Sequence, residues 1–160
     1  MRIGILSDTH DHLNRTARAV ALLKSEGAEA LIHCGDLTTP EIVHQCAELP
    51  SSFVLGNNDF DEVGLRAAVE LIGGVFLGWG GEVILGDRRI AVTHGDSTKE
   101  MRRLAAEGPD YLLFGHTHQP SDRRDGPTRL INPGALHRAR TWTVAVLDLA
   151  TDDLHLLTVS

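Results

Sequence analysis

Residues 2–10 are Arg-Ile-Gly-Ile-Leu-Ser-Asp-Thr-His, an apolar run that ends in an acid and a histidine. The run is short and rich in strand-forming residues, and Asp11 and Asn14 behind it are typical of a helix start. We therefore predict a buried strand that ends just before Asp8 and His10. Ligands of open α/β sheets bind at the carboxyl ends of the strands. The stretch thus predicts an α/β fold whose first strand presents two metal ligands.

An apolar run followed by polar side chains occurs four more times along the chain. Three of these runs, residues 30–35, 52–56 and 111–115, end in a glycine immediately before the polar group. Because the carboxyl ends of parallel strands meet at one edge of a sheet, we expect all five runs to deliver oxygen and imidazole donors to one place. The polar residues after these four runs are Asp36; Asn57, Asn58 and Asp59; His94; and His116 and His118.

The composition is that of an ordinary globular protein. With 160 residues, 42% of them hydrophobic, the chain is long enough for one domain with a sizeable core, and we predict a single domain over residues 1–160. No apolar run approaches the ~20 residues of a membrane span, and the early first strand leaves no room for a signal peptide. Cys34 and Cys46 lack the spacing of a disulfide framework or a zinc site. We therefore expect a cytoplasmic protein without membrane association.

The net charge of −7 bears on the substrate class. Binding to polymeric nucleic acid normally requires a basic surface, so the charge argues against such a substrate. A small anionic substrate remains compatible, since bound cations would offset the acidic charge locally. The most basic stretch follows His118, and we interpret it either as a solvated face or as a rim for a substrate anion. Its members are Arg123, Arg124, Arg129, Arg138 and Arg140.

Four helices are predicted from capping residues and apolar periodicity. They cover about residues 12–26, from 40 to before Pro50, 60–71, and from Ser97 to Gly108. Asp59 with Glu62 three residues later resembles a capping box, so Asp59 is expected to cap the third helix. A second interpretation makes Asp59 an orienting partner of a ligand.

After Gly74 the alternation of strand and helix gives way to mostly strands. Gly86-Asp87 lies between two strand-like runs and indicates a hairpin. Nine or ten strands exceed what one sheet comfortably holds. We therefore predict an α/β fold of mixed α+β character, with two stacked mixed sheets flanked by helices as a four-layer αββα sandwich.

Seven residues at the expected sheet edge are donors of the kind that binds Zn, Mn, Fe or Ni. Seven donors are too many for one tetrahedral site, whereas two ions ~3.5–4 Å apart, bridged by a carboxylate, would use them all. Asp36 is the expected bridge, because Asp8 and His10 share a loop and serve one ion together. The seven donors are Asp8, His10, Asp36, Asn57, His94, His116 and His118.

Five motifs resemble, in order and spacing, those of the calcineurin-like metallophosphoesterase superfamily. The most similar branch is that of the small single-domain phosphodiesterases of bacteria and archaea. The motifs are Asp8-x-His10, Gly35-Asp36, Gly56-Asn57-x-Asp59, His94-Gly95 and Gly115-His116-x-His118.

The resemblance implies a dinuclear site and a phosphoesterase activity. It implies that a metal-bridging hydroxide attacks a small phosphodiester in line, with manganese as the preferred ion and nickel, iron or zinc as alternatives. One ion would be held by Asp8, His10, Asp36 and His118, and the other by Asp36, Asn57, His94 and His116.

One position departs from the family pattern. Many members have a histidine directly after the motif asparagine, where it protonates the leaving group or binds phosphate, but this chain has Asn58. Asparagine cannot transfer a proton at neutral pH, although it can hydrogen-bond a phosphate oxygen, so we expect diesters to be preferred over monoesters. Asn58 and Asp59 are candidate catalytic residues, and Asn58, His12 and His137 are candidate substrate contacts.

Two other functions remain open at this stage. One is a non-catalytic, metal-binding scaffold for protein partners, as in the retromer subunit that resembles these enzymes; eroded ligands would mark it, and none is eroded here. The other is a one-zinc hydrolase of another fold, which would leave several donors unused. A homo-oligomer, dimer or tetramer, is compatible with the resemblance.

Overall fold

A computed structural model describes all 160 residues, which form eleven strands and four helices. The helices are α1 (Leu13–Ser25), α2 (Pro40–Gln45), α3 (Glu62–Leu71) and α4 (Thr98–Ala106). The strands are β1 (Arg2–Leu6), β2 (Ala30–His33), β3 (Ser51–Phe53), β4 (Val75–Phe76), β5 (Gly80–Leu85), β6 (Arg88–Thr93), β7 (Tyr111–Leu113), β8 (Ser121–Asp125), β9 (Thr128–Asn132), β10 (Thr143–Asp148) and β11 (Asp153–Thr158).

The strands form two mixed sheets. The six-stranded sheet has the order β11-β10-β1-β2-β3-β4, in which β1 to β4 are parallel and β10 is antiparallel to β1. The five-stranded sheet has the order β5-β6-β7-β9-β8, in which β6, β7 and β9 are parallel and the two edge strands are antiparallel. The prediction of two mixed sheets is confirmed.

The two sheets pack face to face with helices on the outer surfaces. Ile3 and Ile5 of β1 lie in a buried cluster with Val92 of β6 and Leu113 of β7, and this cluster joins the sheets. Helices α1, α2 and α3 cover the outer face of the first sheet, while α4 covers the second through Leu104. Because β1 is buried on both faces, its sequence is continuously apolar rather than alternating. The predicted αββα layering is confirmed.

Three elements differ from their predictions. Strand β8 was not predicted, because all five of its residues are exposed and polar, so the sequence has no alternation there. It is an edge strand held by antiparallel pairing with β9. Helix α2 ends at Gln45, earlier than expected, and α3 begins at Glu62 with Asp61 as its N-cap.

The parallel strands of the two sheets end at a common edge. The loops that follow β1, β2 and β3 meet those that follow β6, β7 and β9 at this edge. The hydrogen bond from the backbone N–H of His116 to Asp8 Oδ2 and the contact of His94 Nδ1 with the carbonyl oxygen of Cys34 both join the two sheets. All seven predicted metal ligands lie in these loops. None of the four helices has the length and apolar character needed to cross a membrane.

Candidate metal centre

Loops of both sheets bring predicted ligands into two groups. In the first group Asp8, His10 and His118 each place a donor atom within 4.8 Å of the others, and in the second Asp8, Asp36 and His94 do the same. Three of these residues, Asp8, Asp36 and His94, are buried. The arrangement joins five of the seven predicted ligands into one continuous carboxylate–imidazole centre.

Asp36 lies between imidazoles that belong to different sheets. Its Oδ2 is 3.5 Å from His10 Nε2 and 3.4 Å from His94 Nε2. On the other side of the centre, Asp8 Oδ1 is 3.0 Å from His118 Nε2 and 3.9 Å from His94 Nε2. The position of Asp36 supports the predicted bridging role, which remains a prediction.

The remaining predicted ligands, Asn57 and His116, line the cavity above this centre. The cavity has a volume of about 270 Å³ and no hydrophobic residue in its wall. The His116 ring lies 5.1 Å from the His94 ring, measured between centroids. The wall is formed by His10, Asp36, Asn57, Asn58, His116, His118, His137 and Arg138.

Three buried donor atoms of the centre have no hydrogen-bond partner. They are Asp8 Oδ1, His10 Nε2 and His94 Nε2. Buried polar atoms are almost always partnered in folded proteins, so three orphans in one cluster require an explanation. All three are atoms of the kind that binds a divalent transition-metal ion, and a mixed carboxylate and imidazole set suits Mn, Fe, Ni and Zn. The residues present therefore fit a metal centre.

The backbone is strained at most of the predicted ligands. Positive φ values occur at Asp8 (52°), His10 (46°), Asp36 (58°), His116 (66°) and His118 (58°). Such a conformation is uncommon for residues other than glycine and costs roughly 1–3 kcal/mol each. The rest of the fold therefore holds these loops in a locally unfavourable backbone conformation, and this conformation positions the ligand side chains.

The motif glycines permit the close approach of these loops. A Cβ atom at Gly56 would lie 2.2 Å from Asp36 Oδ1, and one at Gly115 would lie 2.6 Å from Asp8 Oδ2. No side chain fits at such distances. Each glycine therefore makes room for a carboxylate, which is why it stands in the motif.

Hydrogen bonds orient the ligands so that one atom of each faces the centre. Asp8 Oδ2 accepts from Ser7 Oγ (2.6 Å) and from the backbone N–H of His116 (3.1 Å), which leaves Oδ1 for a cation. His94 Nδ1 lies 2.8 Å from the carbonyl oxygen of Cys34. Since a carbonyl only accepts, Nδ1 carries the proton and Nε2 faces the centre.

Asn58 holds the predicted bridging carboxylate from two sides. Its backbone N–H donates to Asp36 Oδ1 (2.9 Å), and its side-chain amide donates to Oδ2 (2.8 Å). Burial by itself would raise the pKa of Asp36, but the nearby charge of His94 and the hydrogen bonds of Asn58 hold that pKa below its usual range. Burial would lower the pKa of His94, yet Asp36 and Asp8 raise it to about 9. The centre is therefore electrostatically suited to hold positive charge.

Asp59 does not cap helix α3, so that prediction is wrong. Asp61 is the cap, and its side chain accepts from the backbone N–H of Gly64. The Asp59 carboxylate is only 3% exposed and lies outside the cavity wall. It accepts hydrogen bonds from the backbone N–H groups of Thr38 (2.6 Å), Gly56 (2.7 Å) and Asp36 (2.9 Å). The carboxylate thus ties together the loops that follow β2 and β3, and it does not face the cavity.

Of the two candidate substrate-contact histidines, His137 lines the cavity and His12 contacts His137 from outside the cavity wall. The His137 ring lies 3.9 Å from the His10 ring, between centroids, and is part of the cavity wall. His12 is not part of the wall, and its Nε2 lies 2.8 Å from His137 Nδ1. Burial, together with the charges of His10 and His12, lowers the pKa of His137 to about 4, so the ring is neutral at pH 7.

The arginine-rich stretch divides between two places. Arg124 and Arg129 pair with Asp152, and Arg129 also pairs with Asp122 (2.8 Å), away from the metal centre. Arg138 is part of the wall of the metal-centre cavity. The interpretation as a substrate rim therefore applies only to the end of the stretch beyond β9.

Sequence reasoning missed Asn132 at the end of β9. Its side-chain amide donates to the carbonyl of Gly115 (2.8 Å) and to Thr117 Oγ1 (3.0 Å), which fixes the loop that carries His116 and His118. The stretch before it, residues 128–131, is a sixth run that ends in a polar group. Applying the same rule once more would have found it.

The fold and the centre together define a class: two stacked mixed sheets with a carboxylate–imidazole metal site at their common edge. Residues 1–152 match the calcineurin-like phosphoesterase superfamily domain. The chain belongs to that superfamily.

Comparison with individual proteins agrees with this assignment. The chain is 30% identical to a phosphodiesterase of Methanocaldococcus jannaschii over 158 residues, which cover 92% of this chain and 93% of the relative. The solved structure of an archaeal phosphodiesterase superposes with a TM-score of 0.91 at 26% identity, covering 99% of this chain and 100% of that one. Vacuolar protein sorting 29 of Cryptosporidium parvum shares the fold alone, with a TM-score of 0.63 at 17% identity over 98% of this chain and 95% of that one.

Proposed function

We propose that this chain is a metal-dependent phosphodiesterase that hydrolyses small phosphodiesters by in-line attack at a dinuclear site. The observation that carries the proposal is the pair of ligand groups, in which three buried donor atoms have no hydrogen-bond partner. Similarity over nearly the whole chain to proteins that are named phosphodiesterases supports the same reaction class.

The ligands are assigned to the two ions as the family motifs imply. Asp8, His10, Asp36 and His118 would hold one ion, and Asp36, Asn57, His94 and His116 would hold the other. Manganese is the proposed ion, with nickel, iron and zinc as alternatives that the same donors accept. When bound, two such ions supply a hydroxide nucleophile and neutralise charge on the phosphoryl oxygens.

The chain's own residues orient the phosphodiester above the centre. Asn58, His137 and Arg138 lie in the cavity wall and present an amide, an imidazole and a guanidinium group to it. Each is a hydrogen-bond donor for a phosphoryl oxygen, and His12 fixes the orientation of the His137 ring. Asn58 cannot protonate a leaving group, so substrates whose leaving group needs little protonation are favoured.

The direct test is hydrolysis by metal-stripped protein of an activated aryl phosphodiester and of the matching monoester. We expect turnover only after Mn²⁺ is added, with the diester hydrolysed faster than the monoester. Apo protein supplemented with Mg²⁺ alone is the control for a general cation effect. Absence of turnover with each of Mn, Fe, Ni and Zn, despite measured metal binding, would contradict the proposal and favour the scaffold.

Replacing Asn58 by histidine is expected to raise monoesterase activity relative to diesterase activity. An imidazole at this position can donate a proton to a poor leaving group, and general acid catalysis contributes about 10²–10⁴-fold. The measurement is the ratio of kcat/KM for the two aryl esters in wild type, Asn58→His and Asn58→Ala. The alanine variant separates the loss of the amide on Asp36 from the gain of the imidazole. An unchanged ratio in Asn58→His means that residue 58 does not reach the leaving group.

Neither alternative is favoured by an observation of the site. A scaffold for protein partners does not depend on a complete ligand set, yet all seven predicted ligands are present, and five of them are buried or half-buried around one cavity or its floor. The one-zinc hydrolase was an alternative with another fold, and the two stacked mixed sheets of this structure exclude it.

Further properties are proposed on the same basis. The thiols of Cys34 and Cys46 are free and buried, which fits a reducing compartment, and we assign the chain to the cytoplasm. Residues 1–160 are proposed to form one domain, because one cluster of side chains joins both sheets. Polymeric nucleic acid is not proposed as a substrate, given the net charge of −7.

We also propose that the chain forms a homo-oligomer, since α3 exposes the apolar side chains of Val63 (80%) and Leu71 (79%).

A further inference from the structure

A second cavity adjoins the metal centre on the side of His118. Its volume is about 350 Å³, and it shares His118 and Arg138 with the cavity above the metal centre. Its wall also contains Arg140 and the polar side chains of Thr117, Gln119 and Thr141. We call this space the arginine cavity. Volumes of this order are typical of sites for parts of small molecules.

The arginine cavity is positively charged although the chain as a whole is acidic. Its wall contains two arginines and no aspartate or glutamate. Neither Arg138 nor Arg140 takes part in an ion pair or a side-chain hydrogen bond, whereas Arg124 and Arg129 of the same basic stretch are paired. Two unpaired guanidinium groups beside a cavity form a geometry that suits phosphate, which they can bind through two hydrogen bonds each.

The segment that carries these arginines is fixed to the metal centre. The His137 ring lies 3.9 Å from the His10 ring, between centroids, and the carbonyl oxygen of Arg138 lies 3.5 Å from His118 Nδ1. Arg138 itself has a positive φ of 44°, which turns the chain between the two cavities. A group bound in the arginine cavity would therefore have a defined position relative to a phosphodiester at the metals.

We propose that the arginine cavity binds a second phosphate group of the substrate, so that the preferred substrate is a phosphodiester that carries an additional phosphate. This inference rests on the proposed function and narrows its substrate class. Arg140 is the residue that determines this specificity, because it lines the arginine cavity and not the metal-centre cavity. Thr117, Gln119 and Thr141 supply neutral donors beside it.

The test compares dithymidine monophosphate with the same dinucleotide carrying a 5′- or a 3′-terminal phosphate. With Mn²⁺-loaded wild type we expect kcat/KM to be about tenfold higher for one of the phosphorylated forms, the gain typical of one additional charge-assisted contact. In Arg140→Gln this preference should fall below about twofold, while hydrolysis of the unphosphorylated dinucleotide is unchanged. Arg123→Gln is the matched control, since Arg123 is an exposed, unpaired arginine on β8 outside both cavities.

A binding measurement separates this inference from the proposed function. Titration of metal-stripped wild type and Arg140→Gln with the three dinucleotides needs no turnover, and the phosphorylated form should bind tighter only to wild type. Equal binding and equal hydrolysis of all three would overturn the inference while leaving diester hydrolysis intact. An equal loss in Arg123→Gln would also overturn it, because it would indicate a general charge effect. If no diester is hydrolysed, the proposed function fails and the titration still decides the role of the arginine cavity.

Discussion

Asp36→Asn is expected to lose bound metal and to lower turnover of an activated phosphodiester by at least about 10³-fold, the upper range for removal of one electrostatic contact at a reacting centre. Asp36 Oδ2 lies 3.5 Å and 3.4 Å from the Nε2 atoms of His10 and His94, so its carboxylate neutralises charge on both sides of the centre. An amide of the same shape keeps the packing but removes the negative charge. In addition, its NH₂ group would face either the side-chain amide or the backbone N–H of Asn58, both of which donate to Asp36. Metal content by plasma emission spectroscopy and kcat/KM for the aryl diester measure the two effects.

The control for this variant is Asp61→Asn. Asp61 lies two residues beyond Asp59 and is exposed, and asparagine caps a helix as well as aspartate does. This substitution removes one negative charge near the same loop and should leave metal content and turnover unchanged. Wild-type turnover of Asp36→Asn without bound metal would contradict the bridging role of Asp36. Full metal content with no turnover would instead place Asp36 on the substrate rather than between the ions.

The sequence predicted the overall architecture because the apolar runs and the potential metal ligands that follow them indicate the same strand ends. The run before Asp8 is apolar at nearly every position, as burial on both faces of a strand requires, and each similar run ends in a polar group. Since parallel strands of one sheet end together, the proximity of Asp8 and Asp36 follows from topology alone. No side-chain geometry was needed for that step. His94 follows a strand of the second sheet, so its place beside them also depends on how the two sheets pack.

Other features depend on contacts that a local pattern does not contain. Strand β8 is polar at all five positions, and only its pairing with β9 makes it a strand. Arg129 and Arg138 belong to the same basic stretch, yet one pairs with Asp122 and the other lines the metal-centre cavity. The contact between the rings of His137 and His10 joins residues that are far apart in the chain. Tertiary structure decides each of these cases.

Asp59 shows how a correct motif can receive a wrong explanation. Glu62 lies three residues after Asp59, which is the spacing of a capping box, but the helix begins later and takes Asp61 as its cap. The carboxylate of Asp59 does not cap the helix. It accepts hydrogen bonds from three backbone N–H groups. Local spacing could not distinguish the two acids, because each is followed at a suitable distance by a helical segment.

Asp59→Ala is therefore expected to lower the free energy of unfolding by about 3–5 kcal/mol, compared with about 1 kcal/mol for Asp61→Ala, which removes only a cap. The larger figure follows because the alanine leaves the N–H groups of Asp36, Thr38 and Gly56 without their acceptor, and two of these three residues are buried. Urea unfolding of metal-stripped protein measures both variants against wild type.

The same change should also weaken metal binding, since the amide of Asp36 loses the contact that holds the bridging carboxylate in its strained conformation, with φ at 58°. Asp59→Asn keeps one acceptor oxygen and should lie between wild type and Asp59→Ala in both stability and metal affinity. Because supporting partners of metal ligands typically contribute about 10–100-fold in affinity, metal titration of the folded variants can resolve the effect. A stability loss no larger than that of Asp61→Ala, with wild-type metal affinity, would show that the loops keep their shape without this carboxylate.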